Sequence, residues 1–167
     1  MKLDQRADES VAYAVGYILK GLSRINPKRL FQTIDNNIEQ LSTAQKIAYA
    51  IALQGIEYNE EIPSHIVDFI ISNSASEHPG LRKTTIYALM TRFNTVTKVR
   101  DKLEELCRQR DDDTILFISA NSISISRENK ELVFRMLKIC SNNRKPQVLQ
   151  NVSSTLAAVA KDFPIKW

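Results

Sequence analysis

The sequence predicts an all-α chain built as a stack of antiparallel helical hairpins, and three observations carry that prediction. The block Val11-Ala12-Tyr13-Ala14-Val15 returns as Ile47-Ala48-Tyr49-Ala50-Ile51, 36 residues on, and Pro27 and Pro63 repeat the same offset. Apolar rungs spaced by four residues, the mark of one helix face, recur every 33 to 36 residues. Only 4 Gly and 5 Pro occur in 167 residues, too few for a turn-dense β-sandwich or a disordered chain.

The rungs form two interleaved ladders, and two ladders per period mean two helices per repeat. The first ladder runs Leu30, Ile34, Ile38; then Ile66, Ile70, Ser74; then Val99, Leu103, Cys107; then Leu132, Met136, Cys140. The second begins at Ile47, Leu81, Ile115 and Val148, with Ile51, Thr85, Ser119 and Val152 four residues beyond. Turn signals separate the helices. An apolar first helix over 8–24 stops before Asn26-Pro27, and a second follows over 28–40. Ser42 opens 43–57, Ile62-Pro63 opens 64–74, His78-Pro79 opens 80–93 and Asn94-Thr95 opens 96–109. Asp111, Asp112 and Asp113 suit the N-terminal dipole of a helix over 113–124. Ser126 precedes 128–141, and Lys145-Pro146 opens 146–162. Within 114–126 the alternation of Ile and Ser has the period of a strand, but a lone strand would have no partner, and the repeat register assigns the segment to a helix.

The expected organisation is one domain over 1–167: a capping helix at 8–24, helical pairs at 27–57, 63–93, 95–124 and 127–162, and a tail at 163–167. This pattern resembles the HEAT and armadillo repeat families. The nearest local match is Pro79-Gly80-Leu81-Arg82-Lys83-Thr84-Thr85-Ile86-Tyr87-Ala88-Leu89, with the turn proline, the apolar residue and Arg after it, and the Ala-Leu pair of a HEAT second helix. Positions equivalent to Arg82 hold Ala48, Leu116 and Leu149 and depart from the family pattern. The resemblance implies a right-handed α-solenoid of about four and a half repeats, with second helices on the concave side.

The net charge of +4 is segregated: no Lys or Arg lies between residues 47 and 81, which sum to −5, whereas 82–110 sum to +5, 111–113 to −3 and 127–145 to +4. Such blocks suggest distinct patches. Stacked hairpins would bring Lys46, Arg82, Lys83, Arg108, Arg110, Arg144 and Lys145 to one edge, which makes them the candidate partner-binding residues. A protein partner is the first expectation for this edge and the concave face. A nucleic acid held by its phosphates is the alternative, weakened by the Asp run and by sparse aromatics.

No catalytic, cofactor or metal site is expected. Cys107 and Cys140 stand at equivalent rungs, expected a helix diameter apart and buried as small hydrophobes. His65 and His78 lie beside prolines near helix ends, with no clustered carboxylate in the sequence. The glycines are too dispersed for a phosphate loop. DNA glycosylases built on HEAT-like repeats use an aromatic-rich cleft, whereas the one Trp here is Trp167. With no apolar run of membrane-spanning length and no apolar signal region at the N-terminus, the expected compartment is the cytoplasm. The first helix is apolar around much of its circumference, and homo-oligomerisation through it is a further expectation; the tail, Phe163 to Trp167, is expected to fold back over the last helix.

Overall fold

The computed structural model describes the backbone of residues 2–161 apart from 37, 39, 58, 59, 110 and 126–128, and side chains within 8–160. These residues form α1 (Lys2–Ser23), α2 (Pro27–Asp35), α3 (Thr43–Leu53), α4 (Ser64–Asn73), α5 (Pro79–Thr91), α6 (Thr97–Arg108), α7 (Asp112–Asn121), α8 (Lys130–Cys140) and α9 (Pro146–Lys161). A 3₁₀ turn, Ser122–Ile125, extends α7, and no strand occurs among the described residues.

Local chemistry accounts for the starts. Asn26 accepts a hydrogen bond from the Arg29 amide at 3.1 Å, with Pro27 in the first helical position. Ser42 and Gln45 cap each other reciprocally: the Gln45 amide donates to Ser42 Oγ at 3.3 Å and the Ser42 amide to Gln45 Oε1 at 2.9 Å. Asp111 accepts from the Asp113 amide at 3.2 Å, and Asn129 from the Leu132 amide at 3.2 Å.

The predicted boundaries move in places. The first helix begins at Lys2, and α2 ends at Asp35, with Asn36 as its C-cap and the Asn36 amide still donating to the Gln32 carbonyl at 3.1 Å. Helix α3 stops at Leu53, since Gln54 and Gly55 bond to carbonyls three residues back and tighten the last turn. The segment 114–126 is helical as far as it is described, through Ile125. Its serines cause no break because their hydroxyls donate within the helix: Ser119 to the Leu116 carbonyl at 3.0 Å and Ser122 to that of Ile118 at 2.7 Å. Residues 115, 118, 119, 122 and 125 are all buried, a helical period under an alternating sequence.

The chain divides into two compact units, Met1–Phe93 and Asn94–Trp167. In the first, α1, α3 and α5 pack side by side as one layer, α2 and α4 form the other, and α1·α2 and α4·α5 contacts join them. In the second, α7 packs on α9 and α6 on α8, with α6·α7, α7·α8 and α8·α9 contacts between layers. Both ladders run through the cores. Every rung residue named above is buried except Ile38, which lies beyond the end of α2 and is half-buried. Helices α1 and α3 approach closely at Gly16, where a Cβ would stand 2.8 Å from Ile51 Cβ.

Candidate functional site

In the first unit, Lys46 lies in the opening turn of α3, and Arg82 and Lys83 in that of α5. Ile47 and Leu81 belong to one buried cluster, with Ala12 and Ile51, so the three cations occupy the same end of adjacent helices. Their environments differ. Arg82 turns back and donates from Nη1 to the carbonyls of Ser76 at 2.8 Å and Glu77 at 3.3 Å. It therefore stitches the α4–α5 turn to α5. Lys46 borders a cleft of about 490 Å³ with His65, Asp68 and Asn73.

In the second unit the turn from α6 to α7 meets the turn from α8 to α9. Cys107, Arg108, Gln109, Asp112, Asn142 and Asn143 line a cleft there of about 470 Å³. Lys145 Nζ lies 2.5 Å from Asp112 Oδ2, and Asn143 Nδ2 donates to Asp112 Oδ1 at 3.3 Å. These two contacts hold the Asp112 carboxyl below its usual range, Lys145 being the larger cause. Arg108 pairs with Glu104 at 3.1 Å, and Arg144 is exposed. Arg110 lies outside the described residues, as does the tail at 163–167. The candidate cations thus fall into two clusters, one in each unit.

A charged network that the sequence did not single out joins α6 to α8. Arg135 donates to Glu104 at 2.8 Å and to Glu131 at 3.0 Å, while Glu104 also receives Arg108. The i,i+4 spacings of Glu104–Arg108 and Glu131–Arg135 were the available signal. The contact between Glu104 and Arg135 required knowing which helices pack.

Two expectations are corrected by geometry. Cys107 and Cys140 are buried, with no disulfide between them, but the two thiols are close enough to perturb each other's ionisation. Helices α6 and α8 pack directly, and both thiols occupy that interface. The neighbouring Cys140 thiol, together with burial, pushes the Cys107 thiol well above its ordinary range. The histidines do have carboxylate neighbours: His65 Nε2 is 2.5 Å from Asp35 and His78 Nε2 is 3.0 Å from Glu9. His78 also caps α5, its Nδ1 accepting from the Leu81 amide at 3.3 Å. That bond requires the tautomer with the proton on Nε2, which then donates to Glu9.

Among the described residues no three His, Cys, Asp or Glu side chains gather as a metal site would require. No described helix is long and apolar enough to cross a membrane. No protein-family model matches the chain, and neither a curated protein nor a solved structure does.

Proposed function

We propose that the chain is a short, right-handed HEAT-like solenoid of about four and a half hairpins, and that it acts as a non-enzymatic protein-binding scaffold through its concave face and charged turns. Two-layer packing within each unit and the buried ladders support the solenoid reading. The observation that carries the binding reading is the mixed charge of the cleft between the 108–112 and 142–145 turns. There Asp112 neutralises Lys145 while Arg108 and Arg144 remain exposed. Alternating signs at close range favour a partner with a complementary pattern over a uniform polyanion. Free buried thiols suit a reducing compartment such as the cytoplasm.

A nucleic-acid partner is the second reading, favoured by Lys46, Lys83 and Arg144, for which no ion pair is seen among the described residues. Fluorescence anisotropy with labelled duplex and single strands across a salt series separates the two. No detectable binding at ~50 mM salt fits the scaffold, whereas micromolar binding that falls by several decades per decade of salt supports the second reading. Binding of a captured protein partner should be lost on combining Lys46→Glu, Lys83→Glu, Arg108→Glu and Arg144→Glu. Arg82 is kept out of that set because it holds a turn; retained binding would move the site elsewhere.

A further inference from the structure

We infer that α1 is the interface of an antiparallel homodimer. Val11, Val15, Ile18, Leu22 and Ile25 are 61, 41, 66, 55 and 81% exposed. The first four lie on α1 at a spacing of 4, 3 and 4, the seam of a helix that packs against another helix, and Ile25 lies in the turn just past its end at Ser23. The internal repeat says why the seam is apolar. Val11 and Val15 correspond to Ile47 and Ile51 of α3, which are buried against α1 at Ala12 and Gly16. Helix α1 therefore presents outward the face that α3 uses to pack on its neighbour.

Area and charge favour a second copy in one orientation. The five exposures leave on the order of 600 Å² per copy, so about 1,200 Å² for a pair, the lower end of stable interfaces. The seam centres on Ile18, and an antiparallel pairing about that residue sets Val11 against Ile25 of the other copy. It also sets Asp8 near Arg24, both exposed, whereas a parallel pair would set Asp8 beside Asp8. Two-fold closure stops at a dimer. The dimer face shares no residue with the charged turns, so it stands or falls independently of the scaffold reading.

Sedimentation equilibrium of the full chain from ~1 to ~500 μM should show a single monomer–dimer equilibrium. Ile18→Glu should raise the dissociation constant at least ~100-fold with helical circular dichroism unchanged, because Ile18 is already two-thirds exposed. Under mild oxidation Ile18→Cys should cross-link to its own copy efficiently. Val11→Cys should not, since antiparallel copies hold those positions ~21 Å apart at 1.5 Å per residue. A monomer throughout the range, cross-linking through Val11→Cys, or growth past the dimer would each overturn the inference. Growth past the dimer would point to head-to-tail contact through the exposed Leu149 and Leu156 of α9.

Discussion

At the scale of single residues, the glycines separate into two kinds that the sequence does not distinguish. A Cβ on Gly55 would fall inside contact distance of the Lys20 carbonyl oxygen and 2.5 Å from Ser23 Oγ, whereas one on Gly21 meets nothing within 4 Å. Ser23 already ties this junction, donating to the carbonyls of Lys20 at 2.9 Å and Ala52 at 2.8 Å. Gly55→Ala should therefore cost about 2 kcal/mol or more by overpacking. Gly21→Ala should stabilise by roughly 0.5–1 kcal/mol, because it removes a flexible residue from a helix. Thermal melts of the two variants should move in opposite directions; a shared direction would mean the α1–α3 junction is not the constraint. The sequence showed only that four glycines were dispersed, since close approach depends on where two helices meet. Asp112 supplies a pH signature. Its carboxyl titrates lower in the folded state than in the unfolded one, so its charge stabilises the fold at neutral pH. That contribution disappears as pH falls through the folded value, below the ordinary carboxylate range. The melting difference between the natural chain and Asp112→Asn should accordingly shrink to nothing in acid; a constant offset from pH 7 to 2 would assign the effect to something other than charge.

At the scale of elements, two arginines do the same job in different turns. Arg82 bonds carbonyls six and five residues earlier, and Arg100 repeats the arrangement, donating to those of Asn94 and Thr95 at 2.9 Å each. Each ties an incoming turn to the helix that follows, where a planar fork holds two acceptors that an ammonium would hold less well. Arg100→Lys should cost about 1 kcal/mol and Arg100→Ala about 2 kcal/mol in urea unfolding. Equal midpoints for Arg100→Ala and the natural chain would show the turn is held by its other contacts. This role was hidden in the sequence, where Arg82 read as part of a binding edge. The helices themselves were legible, because rungs such as Val99, Leu103 and Cys107 repeat with the period of the backbone. Even α7 could be assigned against its local alternation, since the repeat register outweighs thirteen residues of pattern. Which cations face solvent and which serve a turn depends on side-chain direction, and no periodicity encodes that.

At the scale of the molecule, the segregated charge and the division of the chain bear on each other. The acidic stretch 47–81 lies within the first unit, and the Asp run lies within the second, where Asp111 caps α7 and Asp112 binds Lys145. Part of the charge pattern is thus accounted for by folding, and only the remainder is available to a partner. Each unit also has its own fully buried rungs: Ile47, Ile66 and Ile70 in the first, Leu103, Leu132 and Met136 in the second. On the proposed repeat reading, stability comes from each repeat and its immediate neighbours, so damage to one set of rungs should remain local when it is mild. Leu103→Ala removes a side chain with no solvent exposure from the α6–α8 layer and should cost about 2–5 kcal/mol. Native-state hydrogen exchange should then show lost protection in α6, α7, α8 and α9, with amides of α1 and α3 holding their rates. If the α1 and α3 amides accelerate by the same factor, the two units unfold as one, and nearest-neighbour stacking is the wrong description of this chain.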